Sequence, residues 1–284
     1  MKKVAVLFLL VSFCLSVGRT WYWATDGFRL SRIEGFEGIG REREFSEEAE
    51  KALSQRYLYL ARGRQCFAFL SEDGKYVLKF PRLDRYNDRI LFHINPFRDS
   101  VDWRRKSHSL RKDKLFASFE ISCDDLLEET ALVALFNAPK TGKKVEIVDR
   151  LGRTVKLPLE KTGFILQRKL RLFQDVFQEA MDKRDEGEVS RILDRLIDVV
   201  IQIAKKGIIS KDGSFLKNFG FDENRAYQID VGSFYRMENL SDEEVFSLAM
   251  HASLETLRVW LLELNPSLLE LIDQKLRPVY AGAT

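Results

Sequence analysis

Residues 207–234 read GIISKDGSFLKNFGFDENRAYQIDVGSF. A Gly-Ile-Ile step leads to Asp212, Asn218 follows six residues later, and a short apolar run ends in Asp230-Val231-Gly232. The pieces between read as short strands at Gly207-Ile208-Ile209, Phe219-Gly220-Phe221 and Tyr227-Gln228-Ile229, with a polar turn at 222–225. Helices flank the stretch. Upstream, ILDRLIDVVIQIA at 192–204 has a helical apolar period, and Lys205-Lys206-Gly207 supplies cations and a glycine at its end. Downstream, Ser241 with Glu244 three residues on forms a capping box for a helix over 242–264. Asn265-Pro266 breaks that helix, and a last one runs over 267–276. Taken alone, an ordinary hairpin between two helices would read the same way.

The chain before this stretch has a different texture. YLYLARGRQCFAFLSEDGKYVLKF, residues 57–80, predicts strands over 57–60, 66–70 and 76–80, the last two joined by Glu72-Asp73-Gly74-Lys75 as a hairpin turn. Residues 81–110 carry two prolines and many charges and read as irregular. A long helix is expected over 112–136, with Leu115, Phe119, Leu126, Val133 and Phe136 on one face. Strands follow at 144–148 and 163–167, with a short one at 154–157, and then a helix at 173–181. The fold class is therefore α+β. A β-rich part with one helix occupies about 55–168, and a reduced helical part occupies about 169–280.

Composition bounds the function. With 284 residues, 45% hydrophobic and 31% charged, the chain is globular, and a net charge of +3 gives no reason to expect a nucleic-acid partner. Three scattered cysteines and three scattered histidines make neither a disulfide framework nor a zinc pattern. MKK followed by VAVLFLLVSFCLSV fits a secretory signal, cleavable after Gly18, with an uncleaved membrane anchor as the alternative. The expected organisation is a signal or anchor over 1–24, a linker or lead-in over 25–54 and one domain over 55–280. The protein is expected to be exported or membrane-anchored, with membrane association through the N-terminus.

Several residues then stand out. Lys79 lies inside an apolar strand, where an ammonium is costly without a partner; an edge strand with Lys79 facing solvent is the plainer reading. Gly63 sits in the bend 61–65, which a simple hairpin also explains. Glu128 and Glu129 fall on the expected long helix. Glu129 shares its apolar face and so is the better partner for a cation, with Glu120 a third candidate. Asp212, Asn218 and Asp230 are three oxygen-bearing residues of the stretch 207–234.

Together, FLSEDGKYVLKF, LLEET, FILQRKL and NFGF…IDVGSF resemble the protein-kinase-like superfamily over roughly residues 55–280. They are similar to small atypical kinase-like proteins of intracellular bacteria. The resemblance implies a bilobal fold, ATP and Mg²⁺. It implies Asp212 as catalytic base, Asn218 and Asp230 as metal ligands, and Lys79 on the phosphates oriented by Glu129. It also implies Gly63 in the turn over the phosphates and Gln167, in the fifth strand and hinge, beside the adenine.

The departures are specific. Ser210 and Lys211 stand where His and Arg are usual, Asn218 comes one residue late, and Val231 replaces Phe. Only one glycine marks the phosphate loop, and no A-P-E element follows Gly232. The expected function is an atypical Mg-ATP phosphotransferase acting on an unknown protein or small-molecule acceptor. The alternative is a pseudokinase, a non-catalytic module that binds a partner, as a secreted effector would.

Overall fold

The computed structural model describes residues 2–34, 44–85, 98–136, 142–212, 214–237 and 241–281. The chain divides into two compact units, residues 1–108 with 134–166 and residues 109–133 with 167–284.

The first unit is built on a sheet. Its strands are β1 (Arg56–Arg62), β2 (Cys66–Ser71), β3 (Tyr76–Pro81), β4 (Leu132–Phe136), β5 (Lys144–Val148), β6 (Thr154–Pro158) and β7 (Phe164–Arg168). Their order is β4-β7-β3-β2-β1-β5-β6. The β1-β2, β2-β3 and β5-β6 pairs are antiparallel, while β5 lies parallel to β1. Phe67, Phe69, Leu78 and Phe80 alternate onto one buried face, the period of two that the sequence displays. Two helices precede the sheet, α1 (Lys2–Ala24) and α2 (Glu47–Leu53). Ser46 caps α2 by accepting the Ala49 N–H, and Ala49, Ala52 and Leu53 are buried.

Residues 25–33 are no linker. Phe28 and Ile33 are buried in the first unit's core, and the Phe28 ring meets those of Phe67 and Phe69 edge-on, each at 5.2 Å. Gly27 makes this close approach possible. It has φ +70°, and a Cβ there would come within 2.6 Å of the Tyr22 ring. The Tyr59 hydroxyl donates to Asp26 at 2.7 Å, and Arg62 contacts the Asp26 carbonyl and the Tyr22 ring. Earlier in α1, Val4, Leu10, Phe13 and Leu15 are exposed. Among the described residues no helix is long and apolar enough to cross a membrane.

The helix α3 runs over Arg98–Asp124, which corrects two expectations. It starts within the stretch read as irregular, because WRRKSHSLRKDK lacks the apolar period that marks an amphipathic helix. It also ends before 132–136, which form β4. Leu132, Ala134 and Leu135 are all buried, and a strand covered on both faces shows no alternation in sequence. The reversal between them passes through Ala131 at φ +52°, a left-handed conformation unusual for a residue with a Cβ.

The second unit adds β8 (Arg171–Leu172), α4 (Phe173–Asp182), α5 (Glu186–Lys205), β9 (Ile208–Ser210), α6 (Phe215–Asn218), β10 (Phe219–Phe221), β11 (Ala226–Gln228), β12 (Phe234–Arg236), α7 (Asp242–Leu264) and α8 (Pro266–Ala281). The capping box at Ser241 and Glu244 is present. The α5 helix buries Ile192, Leu196, Val199 and Ile203 along one stripe, as its period predicts. Rings of Phe173, Phe177, Phe215, Phe221 and Trp260 form an aromatic cluster with centroid separations of 5.2–6.0 Å.

Phe28→Ala is expected to destabilise the full chain by about 3 kcal/mol, since it removes a buried ring from a close-packed aromatic cluster. Equilibrium urea unfolding checks this; a change under about 0.5 kcal/mol, the size usual for surface substitutions, would show that residues 25–33 are peripheral.

Candidate functional site

Two short ladders in the second unit place the oxygen-bearing residues. In the first, β9 pairs antiparallel with β12, matching Phe234 to Ser210 and Arg236 to Ile208. One step further, the Lys211 N–H donates to the Ser233 carbonyl at 3.1 Å. In the second, β10 pairs with β11, matching Phe219 to Gln228, and the Ile229 N–H donates to the Asn218 carbonyl at 2.7 Å. Asp212 follows directly on the first ladder, and Asn218 and Asp230 stand at the open end of the second. The structure therefore brings Asp212, Asn218 and Asp230 into one part of the second unit.

Asn218 ends α6, a single helical turn over Phe215–Asn218. Asn218 closes this turn through its N–H to the Ser214 carbonyl at 3.2 Å. Asp212 accepts the Ser214 N–H at 3.1 Å, and Phe215 anchors the turn in the aromatic cluster.

These residues suit a divalent cation bound with phosphates. Asn218 is 7% exposed, and its side-chain amide nitrogen is buried without a hydrogen-bond partner. That nitrogen is a donor, so the group that could complete it is an acceptor such as a phosphate oxygen. Half-buried Asp230 accepts the Gly232 N–H with Oδ1 at 3.1 Å. Among the described residues no cluster of three or more His, Cys, Asp or Glu could hold a metal ion by itself. One carboxylate and one amide agree with Mg²⁺ chemistry, in which substrate phosphates and water complete the shell.

Glu129 takes a different place from the one expected. It lies in the turn between α3 and β4, not on a helix, because α3 stops at Asp124. Its Oε1 accepts from Lys206 Nζ at 2.7 Å, and its backbone carbonyl accepts the Gln228 N–H at 2.8 Å. The side chain is 5% exposed and Oε2 has no partner, so Lys206 supplies the charge that burial of this carboxylate demands. The Glu129 carbonyl thus supports β11, and its carboxylate pairs with Lys206, where the resemblance implied Lys79. Lys206 also donates to the Asp125 carbonyl at 2.7 Å.

Gln167 is buried at the end of β7, where its side-chain amide donates to the Thr130 carbonyl at 2.8 Å. In the first unit, Lys79 stands half-buried on β3, opposite Ala68 of β2. Strand β3 is interior to the sheet, so the edge-strand reading falls. The bend at Gly63 is a tight hairpin turn closed by the Gly63 N–H to the Cys66 carbonyl at 2.8 Å. That N–H is consumed by its own turn, so it is not among the donors a phosphate loop would offer.

Similar solved structures include several of WbdD. One crystal structure is 16% identical at a TM-score of 0.36, covering 67% of this chain and 36% of that one. Another, of a bifunctional kinase-methyltransferase WbdD, gives 16% and 0.34 with 66% and 34% covered. A complex of WbdD with a kinase inhibitor gives 16% and 0.35 with 67% and 36% covered. The chain is similar to a kinase-containing protein. It spans about a third of WbdD's length, and at these TM-scores the likeness is loose. No protein-family model matches the chain. No curated protein matches it.

The turn of the β10–β11 hairpin depends on Asp222. Its Oδ1 accepts the N–H groups of Asn224 at 2.8 Å and Arg225 at 2.9 Å, and Oδ2 accepts the Tyr227 hydroxyl at 2.7 Å. Burial pushes this carboxyl up, but the Tyr227 and backbone hydrogen bonds outweigh it and hold it below its ordinary 3.8. Burial and the same carboxylate push the Tyr227 hydroxyl up to about 12. A depressed folded value means that Asp222 contributes stability above its unfolded value and loses it as pH falls through the folded one. Asp222→Asn is therefore expected to cost stability at neutral pH, with the deficit shrinking as pH drops below about 4. Urea unfolding of both proteins from pH 7 to pH 3 checks this; a pH-independent deficit would refute the charge-based account.

Proposed function

We propose that the protein is an atypical kinase-like phosphotransferase using Mg-ATP. The observation that supports this reading is the position of Asn218 and Asp230 at the end of the β10–β11 ladder, with Asp212 just past the end of β9. In this reading Asn218 and Asp230 would hold the cation, which neutralises charge on the transferring phosphate when bound. Asp212 would accept or orient the proton of the attacking hydroxyl. Lys79, a cation on an interior strand, would serve the nucleotide phosphates. The acceptor would be a protein or small molecule bearing a hydroxyl. Glu129 is left out of this reading, because its carboxylate pairs with Lys206.

One observation favours the second reading, a pseudokinase module that binds a partner without catalysis. The Gly63 N–H closes its own turn, so the phosphate loop lacks that donor. Phosphoryl transfer relies mostly on positioning and charge stabilisation, and the retained oxygen set weighs more than a single backbone donor.

Calorimetry of ATP binding to the full chain, with Mg²⁺ and in EDTA, tests the proposal. The parent is expected to bind ATP more tightly with Mg²⁺, Asp230→Ala to lose that gain, and Lys79→Ala to weaken binding about tenfold or more, the effect of losing a charge-assisted contact. Asp212→Asn should bind normally and abolish any phosphate transfer. A folded parent that binds no ATP at millimolar concentration would end the catalytic assignment.

A further inference from the structure

The turn that carries Asp230 is held by a residue that neither the ladders nor the acidic set would single out. Ser118, on α3, is 1% exposed. Its hydroxyl donates to the Val231 carbonyl at 2.6 Å and accepts the Phe234 N–H at 2.7 Å. One side chain thus clasps both ends of the turn 231–234, which lies more than a hundred residues away in the chain. On its other side the turn is tied back to the ladders. The Ser233 hydroxyl lies 3.0 Å from that of Ser210, which accepts from Gln228 Nε2 at 2.8 Å. Within the turn, the Gly232 N–H donates to Asp230 Oδ1.

We infer that Ser118 is a positioning residue for Asp230: its hydroxyl fixes the turn on which that carboxylate stands and couples it to α3. The physical basis is the cost of leaving buried backbone groups unpaired. Without the hydroxyl, the Phe234 N–H loses its acceptor and the Val231 carbonyl loses a donor in a site closed to water. The turn then relaxes toward other partners, and the Asp230 oxygens move with it. Ser118 itself touches no reacting atom. The functional consequence rests on the Mg-ATP reading; the clasp itself does not.

The test uses the full chain as parent, Ser118→Ala, and the matched pair Ser118→Thr and Ser118→Val, which differ by the hydroxyl at nearly constant volume. Hydrogen exchange of the amides at 230–236 is read alongside ATP affinity with Mg²⁺ and in EDTA. The expected result is that Ala and Val speed exchange at Phe234 about tenfold relative to the α5 amides, as local opening does. They should also reduce the Mg²⁺-dependent gain in ATP affinity about tenfold, with Mg²⁺-free affinity unchanged and both effects restored in Thr. Should Ala fail to fold, the Thr and Val pair carries the comparison. Unchanged exchange in the variants lacking the hydroxyl overturns the clasp. Faster exchange with an unchanged Mg²⁺-dependent gain overturns the positioning role and leaves a merely structural hydroxyl. If the parent binds no Mg-ATP, the phosphotransferase reading falls, and the exchange comparison still decides whether Ser118 holds the turn.

Discussion

Buried backbone N–H and C=O groups must be paired, and the short strands β9 to β12 meet that demand with three short ladders, β9 with β12, β10 with β11 and β10 with β8. Strands this short are not stable on their own. They persist because α5 and α7 pack against them and because side chains complete the pairing where the ladders end. Ser118 closes the turn after β11, Asp222 closes the turn before it, and the Glu129 carbonyl receives the Gln228 N–H along its edge. This pairing sets Asp230 just past β11 beside Asn218, and Asp212 just past β9. Each stands where a ladder gives out and the backbone turns away.

Charge burial is the second constraint on this region. A carboxylate as enclosed as that of Glu129 is tolerable only beside a cation, and Lys206 arrives from the end of α5 to provide it. The same lysine binds the Asp125 carbonyl, so one ammonium joins the end of α3, the start of the turn and the end of α5. Exposed pairs such as Arg191 with Glu188 follow helical spacing and contribute little. The pair at Glu129 matters more, because that carboxylate is 5% exposed and losing Lys206, itself 40% exposed, would leave it without its cation.

Much of the architecture was legible in the sequence. The period of two in 66–80 and the helical stripe of 192–204 each reflect one buried face, and both elements lie where the pattern puts them. The acidic loop was legible because its strands are short, apolar and punctuated by Gly207 and the polar turn 222–225. Other elements were hidden for physical reasons. Strand β4 is buried on both faces and reads as helix. The first turns of α3 are too polar to show a stripe. Phe28 sits among charges and glycines, and nothing local reveals that its ring completes an aromatic core more than thirty residues downstream.

By itself the sequence determined the α+β composition, the first three strands and the later helices, and the identity of the oxygen-bearing groups at 212, 218 and 230. Those features follow from periodicity, caps and turn chemistry, which act within a few residues. Only the tertiary structure decided which cation accompanies Glu129, that a helical turn leads into Asn218, and that a serine on α3 bonds both ends of the turn 231–234. The first and last of these pair groups far apart in the chain. Their partners are chosen by burial, because a polar group removed from water must bond to whatever the folded chain brings within reach.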